Sequence, residues 1–228
     1  MNSLDEIKVY LEVGKKRAFA GAIDWPGWCR SGQDEKAALQ ALCDYGKRYA
    51  PIPLSAQIEF HPPTDISAFR IVERIDGDTT TDFGTPGISP ASDNLLMNEA
   101  ELQRLQDLLE ACWNVFDAAV LAAEGKELRK GPRGGGRNRE EIIRHVQEAE
   151  NAYLSQLGVK LNKVRDHFSS EEITQSRQAI QNALVSAMRG ELPTRGPRGG
   201  IHWTPRYFVR RAAWHVLDHA WEIEDRIL

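Results

Sequence analysis

Two histidines four residues apart near the end of the sequence are the side chains whose type and spacing best suit chemistry. His215 and His219 occur in the stretch WHVLDH, which has helical periodicity. Side chains four residues apart on a helix project from one face, about 5–6 Å apart at Cβ. That separation suits two imidazoles sharing one metal ion, but the same H-x-x-x-H spacing also occurs by chance on helices. The pair alone leaves both interpretations open.

A third histidine, His145, lies among apolar residues in IIRHV, near the start of another predicted helix. Taken alone, it is typical of a core histidine whose hydrogen bonds are satisfied. Three neutral imidazoles together would leave a coordination position open, which is a catalytic arrangement. A structural zinc site is more often closed by a fourth protein ligand, commonly cysteine, and none of the three cysteines is near these histidines in sequence.

Three carboxylates accompany these histidines. Glu148 follows His145 by three residues, while Asp218 and Glu222 flank His219. Each could orient an imidazole or act as a general base, or could be an ordinary helix-surface acid paired with a neighbouring arginine. Glu222, one helical turn beyond His219, is the first candidate for a catalytic role, and Glu148 is the second.

A glycine-rich segment, GPRGGGR at residues 131–137, precedes the helix of His145 and returns as GPRGG at residues 196–200. One interpretation is a pair of turns whose arginines face water. The other is that Arg133, Arg137, the exposed glycine amides and the helix N-terminus bind an anion, such as a substrate carboxylate or phosphate, at the end of the helix that carries His145. Neither copy is followed by the G-K-[ST] of a phosphate-binding P-loop.

Composition limits the class of protein that must position these residues. The chain has 228 residues, 41% hydrophobic and 27% charged, with a formal net charge of -4. Such a mildly acidic chain lacks the broad positive field that nucleic-acid binding usually needs. It has no run of eighteen apolar residues and no signal-peptide pattern at its start, so we expect a cytoplasmic protein that does not bind membranes. The three cysteines lack metal-ligand spacing and are predicted to be buried thiols: Cys29, Cys43 and Cys112.

The hydrophobic pattern divides the chain into two predicted domains of an α+β protein. Residues 1–75 form the first domain, in which apolar and polar residues alternate as in strands before one helix predicted at about 34–49. Further strands are expected at 56–60 and 69–75. Residues 76–96 are rich in Thr, Gly, Pro, Ser and Asp and are predicted to be a linker. Residues 97–228 have helical periodicity, which predicts four amphipathic helices: 102–123, 139–157, 171–188 and 205–228.

The segment FAGAIDWPGW at residues 19–28, followed by Gly32 and EKAAL at 35–39, resembles the HicB-like antitoxin fold. In that family a strand ends in a Pro-Asp-x-Pro-Gly-like turn before a helix start. The resemblance covers residues 8 to 50 and implies a β-hairpin packed with a helix. Trp28 stands where those proteins often have cysteine, and no DNA-binding segment follows, so an antitoxin role is not carried over.

The second domain resembles the DinB/YfiT superfamily of metal-binding four-helix bundles. The resemblance rests on a histidine early in the second helix followed some seventy residues later by H-x-x-x-H in the fourth, and it covers residues 97–228. It implies an up-down-down-up helix order and a divalent ion, such as zinc, nickel or iron, held by His145, His215 and His219. Similar bundles often pair, so an exposed stripe on the first long helix would allow a homodimer.

The resemblance implies two functions from different classes. The first is an enzyme acting on a small-molecule substrate, in which the metal activates water or a thiol, as a hydrolase or thiol-dependent transferase. Some relatives use low-molecular-weight thiols such as bacillithiol, mycothiol or glutathione. The second is a non-enzymatic regulatory or interaction protein, in which a structural metal stabilises the bundle and the HicB-like unit binds a partner.

Overall fold

The computed structural model describes residues 6–130, 135–160 and 169–228 of an α+β protein. The chain forms two compact units, Met1–Leu95 and Leu96–Leu228. The first unit contains a four-stranded mixed sheet with short helices, and the second contains four long helices. The predicted α+β class is therefore confirmed.

The sheet of the first unit has the strand order β3-β2-β1-β4. Strands β1 (Ile7–Val13) and β2 (Ala18–Ala22) form the predicted antiparallel hairpin. Strand β3 (Cys29–Gly32), which the sequence analysis did not predict, adds antiparallel to β2. Strand β4 (Phe69–Asp76) pairs parallel with β1 at the other edge, so the chain crosses over between them.

The crossover is helical where part of it was expected to be a strand. Helix α1 (Glu35–Asp44) is capped by Asp34 and leads into two short helices, α2 (Gly46–Tyr49) and α3 (Pro51–Ser55). The sequence predicted that the helix would end at about residue 49, but Pro51 begins α3. Proline is tolerated in the first turn of a helix because the N–H it lacks would have no partner within the helix. The strand predicted at residues 56–60 does not form.

The segment predicted to be a linker folds onto the first unit instead. Helix α4 (Thr79–Phe83) begins at an Asp78 capping box, and a 3-10 turn follows at Ala91–Asn94. The carboxylate of the fully buried Glu12 in β1 accepts hydrogen bonds from this segment. The donors are the hydroxyl of Thr81 at 2.5 Å and the amides of Gly87 and Ile88 at 3.0 and 3.1 Å. The low apolar content of this segment predicted a linker. The prediction was wrong because the segment is held by polar hydrogen bonds, which leave no hydrophobic pattern in the sequence.

Trp28 is the centre of the aromatic core in the first unit. Its side chain is fully buried and stacks on Tyr49 with ring centroids 5.6 Å apart. The indole N–H donates to the carbonyl of Leu42 at 2.9 Å, and the Tyr49 hydroxyl donates to the carbonyl of Pro26 at 2.9 Å. Both polar atoms are thus satisfied inside the core. The tryptophan at this position therefore has a packing role.

The second unit contains four long amphipathic helices: α5 (Glu99–Ala122), α6 (Arg139–Gln156), α7 (Ser170–Met188) and α8 (Pro205–Arg226). The predicted starts of the last three are confirmed, since Asn138, Ser169 and Thr204 act as N-caps. None of the helices in the described part of the chain is long and apolar enough to cross a membrane.

Contacts between these helices fix their directions. The start of α8 lies beside the start of α5, where Arg206 pairs with Glu101 at 3.0 Å. The chain that follows α5 meets the end of α8, where the Arg129 amide donates to the Arg226 carbonyl at 2.6 Å, so α5 and α8 are parallel. The start of α8 also meets the end of α6, where the Trp203 amide donates to the Gln156 carbonyl at 2.8 Å. Arg177 in α7 pairs with Asp117 in α5, which makes these two helices antiparallel. Helices α5 and α8 thus run one way, while α6 and α7 run the other way.

Candidate metal centre

The three predicted metal ligands meet between α6 and α8. His215 and His219 project from one face of α8 and are buried, and His145 faces them from the second turn of α6, half-buried. The centroids of the three rings lie 4.7 to 5.0 Å apart. Because α6 and α8 are antiparallel, a residue early in one helix and a pair late in the other come together at one end of the unit.

The nitrogen atoms of this cluster have a spacing that fits a metal ion. One ligand nitrogen from each histidine lies within 4.8 Å of the others, and the Nε2 atoms of His145 and His215 are 3.1 Å apart. Two nitrogens bound to one tetrahedral zinc ion, each at about 2.0–2.1 Å, are about 3.3 Å apart. Nδ1 of His215 is buried without a hydrogen-bond partner among the described residues. The donor set therefore fits a divalent ion.

The third ligand is oriented by Glu222. Nδ1 of His219 hydrogen-bonds to Oε2 of Glu222 at 2.8 Å, which leaves Nε2 of His219 free to face the cluster. The other carboxylate oxygen of Glu222 accepts from Nη1 of Arg226. A carboxylate behind a ligand histidine fixes its tautomer and ring orientation and increases its basicity. Since both oxygens are engaged, Glu222 acts on His219 and is not a free general base.

Electrostatics keep two of the imidazoles in the form that binds metals. Burial lowers the pKa of His215 well below 6.5, with further lowering from His219 and Arg211. Burial also lowers the pKa of His145, helped by His219 and Arg137 and opposed by Glu148 and Glu222. Both rings are therefore neutral at pH 7, as metal ligands must be. The hydrogen bond from His219 lowers the pKa of Glu222, so that carboxylate is charged.

The side chain of Arg226 connects the chain that precedes α6 to the histidine cluster. Its guanidinium donates to the carbonyls of Arg129 and Arg137 at 2.9 and 2.8 Å, in addition to Glu222. Gly136 adopts a φ of 128°, and a Cβ there would lie 2.8 Å from Nη2 of Arg226. The glycine thus permits both the positive φ and the close approach of the guanidinium. One arginine near the end of α8 therefore binds the backbone of both Arg129 and Arg137.

The remaining predicted site residues differ in their placement. Glu148 and Arg137 both line a cavity that opens beside His145, and both are exposed. Arg133 lies outside the described residues. The second glycine-rich copy closes on itself as a turn, with the Gly196 amide donating to the Gly200 carbonyl at 2.8 Å. It precedes the start of α8 and so lies at the opposite end of that helix from His219, in agreement with a role as a turn.

Sequence reasoning missed Tyr153, which contacts the cluster, and Arg211, which contacts Tyr153. The ring of Tyr153 in α6 lies 5.8 Å from that of His215, and Arg211 in α8 sits over Tyr153 at 5.4 Å. The helical spacing from His145 to Tyr153 is eight residues, and Arg211 is four residues before His215. Both intervals place side chains on the face of the ligands, so helical spacing was the pattern that could have identified them.

Helix α6 also buries a carboxyl group, Glu150, that is separate from the ligand set. Oε1 of Glu150 accepts from the indole N–H of Trp113, while Oε2 has no hydrogen-bond partner among the described residues. Burial raises the pKa of Glu150 to about 7, and Arg177 opposes this effect. The neighbouring Gln147 is fully buried, and its amide atoms likewise lack hydrogen-bond partners within the described ranges.

No family model, no curated protein and no solved structure matches this chain.

Proposed function

We propose that this protein is a metal-dependent enzyme whose second unit is a DinB-like four-helix bundle holding a divalent ion, such as zinc, nickel or iron, on His145, His215 and His219. The observation that carries the proposal is the convergence of three imidazole nitrogens within 4.8 Å beside a cavity. Three protein ligands and access from outside are typical of catalytic metal sites.

The helix directions support the bundle assignment. Helices α5 and α8 run opposite to α6 and α7, which agrees with an up-down-down-up order. The hairpin and following helix of the first unit support a HicB-like arrangement there. These assignments rest on the order and direction of elements together with the residues that carry each resemblance.

A divalent ion held by three neutral imidazoles retains a position for an exchangeable ligand and lowers the pKa of a coordinated water or thiol. Among the protein groups, Glu222 orients His219 and Arg226 holds Glu222. Glu148 is exposed in the cavity and has no ion pair or hydrogen bond with any described residue, so it is the better candidate for moving a proton to or from the substrate. The reaction class is hydrolysis or thiol-dependent transfer of a small-molecule substrate.

The first test is the metal content of the purified protein and of its His145→Ala, His215→Ala and His219→Ala variants, measured by elemental mass spectrometry. We expect about one equivalent in the parent and a loss in each variant. His61→Ala is the matched control, because the His61 side chain is 81% exposed and lies in the first unit. Equal metal content in all five proteins contradicts the proposal.

A second measurement separates an enzyme from a protein with a structural metal. An enzyme site should lose its metal to a chelator with little change in secondary structure by circular dichroism. A structural site should melt on chelation, because its binding free energy is folding free energy. Melting would contradict the enzymatic proposal and favour the regulatory alternative.

A further inference from the structure

The cavity beside the histidines has a specific arrangement of charge. It measures about 600 Å³. Two elements supply its lining: the first turns of α6 with the loop before it, and Glu222 of α8. The lining residues are Gly136, Arg137, Glu141, Arg144, His145, Glu148 and Glu222. The side chains that line it are thus polar or charged, unlike the mainly apolar walls of most small-molecule pockets.

Two of its three carboxylates are already engaged. Glu141 accepts from the amide of Asn138 at 2.8 Å as part of the capping box of α6. Glu222 is bound by His219 and Arg226. Glu148 alone, of the three, makes no hydrogen bond or ion pair with the described residues.

Neither guanidinium group of the cavity has a partner in the part of the chain that the structure describes. The side chains of Arg137 and Arg144 make no hydrogen bond or ion pair with any residue in the ranges 6–130, 135–160 and 169–228. Arg137 still acts on the site, because its charge lowers the pKa values of His145 and His215. Its backbone is held by Arg226 at 2.8 Å, which fixes the base of the side chain at the cavity wall. Two arginines whose side chains have no partner in the described ranges, together with Glu148, therefore line the same cavity as His145.

We propose that this cavity binds a small molecule through an anionic oxygen group, a carboxylate or a phosphate, held by Arg137 and Arg144, while another group of the same molecule reaches the metal. This inference rests on the proposed function, since the metal is the second anchor. A guanidinium presents paired N–H donors that match both anions. A ligand anion would pair with the two guanidinium groups, and Glu148 would remain available for a proton.

The test uses cobalt(II)-loaded protein and three small thiols of similar length and different charge. A thiolate bound to cobalt(II) gives a charge-transfer absorption, so each titration reports binding at the metal itself. The probes are 3-mercaptopropionate, 2-mercaptoethanol and cysteamine, which carry a carboxylate, a neutral hydroxyl and an ammonium. At low ionic strength we expect 3-mercaptopropionate to bind at least tenfold more tightly than the other two. Acetate and inorganic phosphate as competitors then show which anion the two arginines prefer.

Matched variants assign the preference to the two arginines. Arg137→Gln and Arg144→Gln should each weaken 3-mercaptopropionate at least fivefold and leave 2-mercaptoethanol unchanged. Arg189→Gln, which removes an exposed charge at the end of α7, should behave as the parent. Equal affinities for the three thiols, or tightest binding of cysteamine, overturn the inference while cobalt binding still supports the metal site. Failure of cobalt to bind overturns both.

Discussion

Glu150 should make the stability of the helical unit fall as the pH rises through the neutral range. Its carboxyl is fully buried, one oxygen accepts from Trp113, and the pKa rises from 4.5 to about 7 because burial disfavours the charged form. In the unfolded chain the same group loses its proton near pH 4.5. Between these values the folded state binds more protons than the unfolded state, so the free energy of unfolding decreases as the pH increases.

The size of the effect follows from the two pKa values. A difference of about 2.5 pH units corresponds to about 3 kcal/mol across the whole window, at about 1.4 kcal/mol per unit. Between pH 5.5 and pH 8 the expected loss is about 2 kcal/mol, because part of the change lies below pH 5.5. Above pH 8 this contribution is constant.

Urea unfolding at pH 5.5 and pH 8, followed by far-ultraviolet circular dichroism, measures this loss. Glu150→Gln removes the titration but keeps the shape and an oxygen that can accept from Trp113. A chelator is present throughout, because metal binding has its own pH dependence. Glu148→Gln is the matched control, an exposed carboxylate on the same helix. We expect the parent and the control to lose about 2 kcal/mol more than Glu150→Gln between the two pH values.

A loss of free energy of unfolding between pH 5.5 and pH 8 that is the same in Glu150→Gln and in the parent would contradict this prediction. Equal losses would mean that Glu150 ionises in the folded protein as it does in the unfolded chain. A second variant, Trp113→Phe, checks the assigned contact. It removes a hydrogen bond to the carboxylate, which should raise the pKa of Glu150 further and move the pH-dependent loss to higher pH.

Two further predictions concern the carboxylates of Glu222 and Glu12. Glu222→Gln should weaken metal binding about 10–100-fold, because the amide orients His219 less well and loses the charged contact with Arg226. Competition with a chromophoric chelator measures the metal affinity, and Glu224→Gln is the exposed control. An unchanged affinity in Glu222→Gln would contradict the role assigned to Glu222. Glu12→Ala should leave three hydrogen-bond donors unsatisfied, each of which lowers the free energy of unfolding by about 1–3 kcal/mol. The amide hydrogens of Gly87 and Ile88 should then exchange with solvent at least a hundredfold faster, as measured by nuclear magnetic resonance. Unchanged protection of these amides would show that the segment is held by other contacts.

The three-histidine cluster could be predicted from the sequence because helical spacing is a local property. His215 and His219 share a face for geometric reasons alone, and four strongly periodic segments leave little freedom in where a buried polar residue can point. The role of Glu222 was not accessible in the same way. Its spacing identified it as a neighbour of His219, but the engagement of its second oxygen depends on Arg226, which also reaches across to Arg137.

The first unit shows the opposite limit of sequence reasoning. The hairpin of β1 and β2 follows from alternation, and its residues form those strands. Strand β3 was not predicted because its four residues are too few to show the alternation of apolar and polar residues that is typical of a strand. The folded segment after β4 was not predicted because the buried carboxylate of Glu12 in β1 holds it through backbone amides, and neither group is apolar.

The position of β1 has a consequence for how the first unit forms. On one side β1 pairs with β2 across a four-residue turn, whereas on the other it pairs with β4, whose first residue lies 56 positions after the last residue of β1. Hairpins close in microseconds, but distant strands must first overcome the entropy of closing a long loop. We therefore expect β4 to join an already formed hairpin and helix late in folding, and to be the first strand released when the sheet opens.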